Sequence, residues 1–387
     1  MLPPAAHLHQ AILELEEPVK FQDFYDQLDE EGNLEFLRWG PDKFFEILGN
    51  KILPFRTGNN TRTCEPQWDV KCSTEEMKFA DFLETTTLEN DSVWRYFDYK
   101  YMSQWFESEA NFLKSIDWKR FGFDKNGFDS TLWIGSKRAH TNCHQDSYGC
   151  NLVAQIHGRK LWLLFPPDTG NAMKPTRVPY EESTIYSEYN FFCPTIKDEE
   201  SIMNIKKNAR LVVLEPGDVL LVPNRWWHYV ESLDFSISIN VWLPVEGDFK
   251  ERINEALVKL LARNIGLGLP AVPEPEYSPK ELIELIKLSV SHYNSELCSG
   301  SSSTGKKKRP SPWTAEELAK EYPKCVKLLP ELSQGCLREW LMNNRKRFPE
   351  VEIPQNTSND VTLVDIINAL CNREVISKVS ELLLHDR

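Results

Sequence analysis

The stretch HTNCHQDSYGCN, residues 140–151, sets an imidazole and a carboxylate two positions apart, at His144 and Asp146. If the stretch is extended, side chains alternate between faces, so both groups point the same way and can share a metal ion. A third protein ligand must come from elsewhere in the chain, and NRWWHYVES offers His228. Two histidines and one carboxylate, leaving three cis positions open, form the facial triad of non-haem Fe(II) oxygenases. The open positions matter chemically because they admit a bidentate cosubstrate and O₂ together. A plainer reading stands beside this one. His-x-Asp pairs arise often by chance, and a histidine among Trp226, Trp227 and Tyr229 is also at home in a core.

Two further polar residues sit where apolar ones belong. Lys160 lies in GRKLWLLFPP, an otherwise almost apolar strand. Lysine is rarely buried without a partner. It either snorkels from an edge or pairs its ammonium with a ligand carboxylate in an enclosed pocket. On a strand Lys160, Trp162 and Leu164 share a face and Arg159 lies opposite. Asn240, inside SISINVWLP, either hydrogen-bonds a ligand or satisfies backbone.

The elements that would position these residues are mostly strands. STLWIGS, NLVAQIHG, RKLWLLFPP, ARLVVLE, DVLLVP and FSISINVWLP are short, apolar and divided by turn pieces such as Pro-Gly-Asp. Many short strands without alternating helices predict a mainly β core, an antiparallel sandwich or jelly roll with helical additions. Residues 8–16 read as a short helix, and FFEILGNKILPFRTG as a helix, a Gly-Asn turn and a strand. STEEMKFADFLETT (73–86) reads as a helix, with Ser73 and Glu76 as its capping box. After Pro244 the periodicity turns helical, over 249–265 and 278–294. CSGSSSTGKKKRPSP (298–312) reads as a flexible basic linker. The segment from Trp313 to the last residue reads as helices, Thr314 and Glu317 forming another capping box.

Together these blocks resemble a JmjC domain, a branch of the cupin-fold, double-stranded β-helix 2-oxoglutarate oxygenases. The carrying pieces are LWIGS, His144-x-Asp146, NLVAQIHGRKLWLLFPP, PYEES, PGDVLLVPNRWWHYVES and SISINVWLP. The resemblance divides the chain into an N-terminal part of the fold (1–90), the β-helix core (91–248), a helical extension (249–297), the linker (298–312) and a C-terminal helical segment (313–387). It implies Fe(II) on His144, Asp146 and His228, with 2-oxoglutarate and O₂ as cosubstrates and ascorbate as an in-vitro supplement. Lys160 matches the lysine that takes the distal carboxylate of 2-oxoglutarate. Thr141 and Tyr96 match hydroxyls assisting that contact, with Tyr99 and Tyr101 competing for the tyrosine's place. Asn151 and Asn240 match polar residues near the cosubstrate. SYGC, between Asp146 and Asn151, is one residue longer than in the asparaginyl-hydroxylase members and leaves the path of Asn151 open.

The implied activity is hydroxylation of a protein side chain, ahead of lysine demethylation, because the chain is acidic and carries no chromatin-reading cysteine clusters. The rival from another class is an interaction protein or silent scaffold. The likeness is strongest to members that associate with small heat-shock proteins, so such a protein is the implied partner. The helices after 245 resemble a segment through which relatives form homodimers, and capping the sheet explains them equally well.

Composition bounds the rest. The chain has 387 residues and a net charge of −13, which argues against broad electrostatic binding of nucleic acid. Nine cysteines without a Cys-x-x-Cys pair read as free thiols in a reducing, intracellular setting, cytoplasmic or nuclear. KKKR at 306–309 has the form of a nuclear import signal. No secretory signal or membrane-length apolar run is apparent.

Overall fold

The structure is a computed structural model that describes residues 2–24, 34–87, 92–205, 208–273, 277–301, 313–349 and 360–385. The basic run at 306–309 and most of the expected linker lie outside these residues. Among the described residues fifteen strands carry the fold: β1 (Val19–Phe21), β2 (Ile52–Asn59), β3 (Ser73–Lys78), β4 (Val93–Tyr101), β5 (Ser130–Gly135), β6 (His140–Asp146), β7 (Cys150–His157), β8 (Lys160–Phe165), β9 (Pro175–Thr176), β10 (Thr184–Ser187), β11 (Arg210–Leu214), β12 (Val219–Val222), β13 (Trp227–Ser232), β14 (Ser236–Leu243) and β15 (Val326–Leu328). They form a nine-stranded sheet, β15-β1-β12-β7-β14-β5-β4-β2-β3, and a six-stranded sheet, β11-β8-β13-β6-β10-β9. The pairings are antiparallel. From β5 to β8 the chain changes sheet at every step, and it does so again from β11 to β14. Strand by strand exchange between two sheets is the jelly-roll pattern expected from the sequence.

Period-two alternation decides what faces where. On β7 and β14 of the large sheet, Leu152, Ala154, Ile156, Ile237, Ile239 and Val241 turn outward into the main core, beneath the helix Ala5–Glu14 and other N-terminal pieces. Their neighbours Asn151, Val153, Ser238, Asn240 and Trp242 turn inward and line a cavity between the sheets. The small sheet repeats the pattern. Leu161, Leu163, Phe165, Trp227 and Tyr229 pack outward with Leu337 and Leu341 of the helix Gln334–Arg345, while Lys160, Trp162 and His228 face the cavity.

Two expectations fail. Ser73–Glu76 does not cap a helix: residues 73–78 form β3, and only Phe79–Thr85 are helical. β2 would otherwise expose an unpaired edge, and β3 covers it in register from Ile52↔Lys78 to Thr57↔Ser73. The Ser73 hydroxyl meets that of Thr57 at 2.8 Å instead of a helix N–H. The segment after Trp313 is not purely helical either. Val326–Leu328 closes the large sheet against β1, because Val326 and Cys325 complete the core. The other helical expectations hold, including the Thr314–Glu317 capping box.

The helix Asp248–Ile265 is bound tightly to the small sheet's side of the molecule. Arg177 forms a buried ion pair with Glu255 at 2.6 Å, and Lys259 reaches Glu182 at 2.7 Å. The described cysteines are free thiols, and no described helix is long and apolar enough to cross a membrane.

Candidate metal centre

β6 and β13 lie side by side in the small sheet with His144 opposite His228. That register brings the two imidazoles to a ring-centroid distance of 4.1 Å. His144 Nε2 lies 3.7 Å from Asp146 Oδ1. One ligand atom from each of His144, Asp146 and His228 falls within 4.8 Å of the others. The three residues are thus one site, drawn together from positions more than eighty residues apart.

The orientation of both rings is fixed by their surroundings. His144 Nδ1 sits 2.9 Å from the carbonyl of Asn142, and His228 Nδ1 sits 2.9 Å from the carbonyl of Trp226. A carbonyl only accepts, so each Nδ1 carries a hydrogen, which leaves Nε2 as the nitrogen that can bind a metal. Such outer contacts orient imidazoles for a metal. Burial, and then the neighbouring His144, lowers His228 to about 4, so this ring is neutral near pH 7. Trp242 Nε1 donates to Asp146 Oδ2 at 3.3 Å, leaving the other oxygen turned toward the rings.

Thr141 enters through an irregularity. Strict alternation would set it on the face opposite His144. The pairing of β6 with β13 shifts between His228 and Val230, so that Val230 stands opposite Thr141. This β-bulge turns both Thr141 and His144 into the cavity.

Lys160 is 2% exposed. Its ammonium donates to Ser238 Oγ at 2.8 Å and Tyr96 Oη at 3.1 Å. Among the described residues no carboxylate forms an ion pair with it. The nearest charge acting on it, Asp98, is committed to Arg56 at 2.7 Å. Burial therefore lowers Lys160 to about 7 despite the opposing pull of Asp98. An uncompensated buried cation costs several kcal/mol, on the order of what a matching anion returns. Tyr96 hydrogen-bonds Thr141, and burial raises its phenol far above the usual range. Tyr96 is the tyrosine at the lysine. Tyr99 and Tyr101 line the same cavity with their rings partly exposed.

Asn151 also enters the cavity. Asn240 Nδ2 donates to Asn151 Oδ1 at 2.7 Å, and Trp133 Nε1 donates to Asn240 Oδ1 at 2.7 Å. Every residue expected at the site lines one cavity of about 360 Å³. Four partners were missed from the sequence: Ser238, Trp133, Trp242 and Asp98. Ser238 and Trp242 flank Asn240 at two-residue spacing in SISINVWLP, so alternation alone would have placed them on its face.

The residues present fit a divalent metal: two freed Nε2 atoms and a carboxylate oxygen at one point is the donor chemistry of the facial triad. The unpaired Lys160 in the same cavity fits an anionic cosubstrate.

Strand exchange between two sheets around an enclosed cavity is the double-sheet jelly roll of the cupin class. The chain belongs to the cupin-like domain family, whose model matches residues 5–248. It is 40% identical to human HSPB1-associated protein 1 over 237 residues, 58% of this chain and 48% of that protein. The zebrafish HSPB1-associated protein 1 homolog is 41% identical over 241 residues, 58% of this chain and 53% of that one. Zebrafish lysine-specific demethylase 8 is 25% identical over 214 residues, 53% of this chain and 48% of that protein. The chain spans about half the length of these relatives. The JmjC resemblance drawn from the sequence blocks stands: this is a cupin-like JmjC domain.

Proposed function

We propose that the chain is an Fe(II)- and 2-oxoglutarate-dependent dioxygenase that hydroxylates a protein side chain. Lys160 carries the reading: a buried ammonium without an acid partner among the described residues, in the cavity that also holds the triad. His144, Asp146 and His228 would hold the metal through Nε2, a carboxylate oxygen and Nε2. Lys160, with the hydroxyls of Tyr96 and Thr141 beside it, would take the distal carboxylate of 2-oxoglutarate. Asn151 and Asn240 offer amide edges to the rest of that molecule. Trp162 and Val230 wall the site with apolar surface and keep water out. Once bound, Fe(II), 2-oxoglutarate and O₂ supply an oxidant able to hydroxylate a C–H bond, with succinate and CO₂ as co-products. The absence of Cys-x-x-Cys zinc modules from the sequence favours hydroxylation over demethylation of a histone.

Purified protein given Fe(II), 2-oxoglutarate and ascorbate should form succinate, and Asp146→Ala should form none. A substrate should gain 16 Da; loss of a methyl group with formaldehyde release would favour the demethylase reading. Equal succinate from both proteins, together with no binding of 2-oxoglutarate, would refute the enzyme. The names of the relatives carry a second reading, a scaffold that associates with a small heat-shock protein. In that case Asp146→Ala binds such a partner as the wild type does, and neither protein turns over.

A further inference from the structure

A second, smaller cavity of about 90 Å³ lies on the outer side of the small sheet, away from the metal site. One wall is the sheet, with Gln145 of β6, Trp227 at the start of β13 and Arg225 in the turn just before it. The other is the pair of C-terminal helices Leu363–Leu370 and Arg373–His385, through Asn368 and Arg373. Nothing in the proposed oxygenase chemistry uses it.

Its charge is uneven. Arg177 is matched, since both its terminal nitrogens reach Glu255. Arg373 is matched by Glu251 at 2.5 Å, and that carboxylate also accepts from Asn254 at 3.0 Å. Arg225 has no acid of its own among the described residues. Its Nε is buried and without a hydrogen-bond partner. Burial, then the positive charge of Arg373, lowers it to about 10, with Glu251 opposing. Against one free carboxylate's worth of negative charge already spent on Arg373, the cavity keeps one positive charge unanswered.

The fold also holds Arg225 in place at some expense. Its backbone has φ 66°, a left-handed conformation that strains a non-glycine residue. Gln145 Nε2 donates to its carbonyl at 2.5 Å and pins the turn. The turn that carries Arg225 is thus fixed, and its guanidinium, with the Nε donor unpartnered, lines the small cavity beside Arg373 and Asn368; a planar, multi-donor group of this kind suits oxyanions.

We propose that this cavity is a binding site for a small oxyanion of the phosphate class, held by Arg225 with Arg373 beside it. At about 90 Å³ the space suits a free ion. Through the turn at Arg225 the occupant would sit directly behind β6 and β13, the strands that carry the triad.

The test is thermal unfolding and calorimetric titration of the full chain with inorganic phosphate or sulfate, against chloride at matched ionic strength. Phosphate should raise the melting temperature in a saturable way and bind at one site per chain. Arg225→Gln should weaken that binding at least tenfold while leaving the chloride melting temperature and 2-oxoglutarate binding unchanged. Arg225→Lys should recover only part of it, because an ammonium lacks the fork. Stabilisation by phosphate no greater than by chloride, or equal binding by Arg225→Gln, would overturn the site. If Arg225→Gln lowers stability in chloride as well, a phosphate titration of Asn368→Asp decides instead. That variant adds negative charge to the same wall and should lose phosphate binding; retention of it would again overturn the site.

Discussion

Lys160 is buried, yet among the described residues its ammonium hydrogen-bonds to hydroxyls, those of Ser238 and Tyr96, and to no carboxylate. Lowered to about 7, it is partly discharged at neutral pH before any ligand arrives. Two consequences carry opposite signs. The unfolded chain holds this proton more tightly than the folded one. Below about pH 7 both are protonated and the burial penalty is fully present. As pH rises from about 7 toward the ordinary lysine range the penalty is relieved, so the ligand-free protein gains stability. Binding of a carboxylate needs the charged form, so affinity for 2-oxoglutarate should fall as pH rises above about 7, by up to about tenfold per pH unit. Calorimetry with Mn(II) between pH 6 and 9 reads this slope. Lys160→Met should flatten the slope and weaken binding by about 2 kcal/mol, as expected for loss of a charged hydrogen bond, while metal affinity stays. A slope unchanged in Lys160→Met would show that another group titrates. At this scale much was legible. His144, Asp146, His228 and Lys160 stand out because each is a polar residue in an apolar or patterned strand. The choice of Tyr96 over Tyr99 and Tyr101 was not, because β4 changes register between Phe97 and Lys100 and Tyr99 has φ 54°. A bulge breaks the alternation that would otherwise have ranked the three.

The elements explain why the site residues meet. Strand identity was readable from apolar alternation, and cross-strand register was not, since it is set by turns and bulges rather than by composition. Ser238 meets Lys160 only because β14 and β8 face each other across the cavity from different sheets. β3 was misread for a related reason: STEEMK has helical propensity, and the open edge of β2 overrode it. The turn between β7 and β8 is where register can be tested. Gly158 has φ 61°, and a Cβ there would lie 1.9 Å from the carbonyl oxygen of Phe235. Gly268 also has positive φ, 88°, with nothing within 4 Å of an added Cβ. Gly268→Ala should therefore cost only the backbone strain, roughly 1–2 kcal/mol. Gly158→Ala adds a backbone shift at the start of β8 and should cost clearly more, with 2-oxoglutarate affinity falling as Lys160 moves. Urea unfolding of both variants checks this. Equal losses would mean that the turn accommodates the methyl group and does not set the register of β8.

Over the whole molecule, the C-terminal helices present more apolar surface than their own packing uses. The helices Pro279–Ser301 and Arg373–His385 both rest on Asp248–Ile265, through Val290 and Ile376 among others. With its inward side so satisfied, Arg373–His385 still carries Val375, Val379, Leu382 and Leu383 exposed, Leu382 at 56%. These fall at i, i+4, i+7 and i+8, a second stripe along one helix. Pro279–Ser301 adds Ile283, Leu285 and Leu288, the last at 57%. Single exposed leucines are ordinary, while helices apolar on two sides usually meet a second surface. Burying one such leucine returns about 1.5–3 kcal/mol, so several together suffice for a stable contact. The sequence left dimer formation and sheet capping side by side; the helix Asp248–Ile265 packs on the segment around Tyr180 and on its two neighbouring helices, which keep the surplus. The expected outcome is self-association in solution. Light scattering coupled to size exclusion should give about twice the chain mass at tens of micromolar, and Leu288→Asp combined with Leu382→Asp should give the single-chain mass with the melting temperature nearly kept. A wild type that stays at the single-chain mass across that range would assign this face to a different partner and rule out the homodimer.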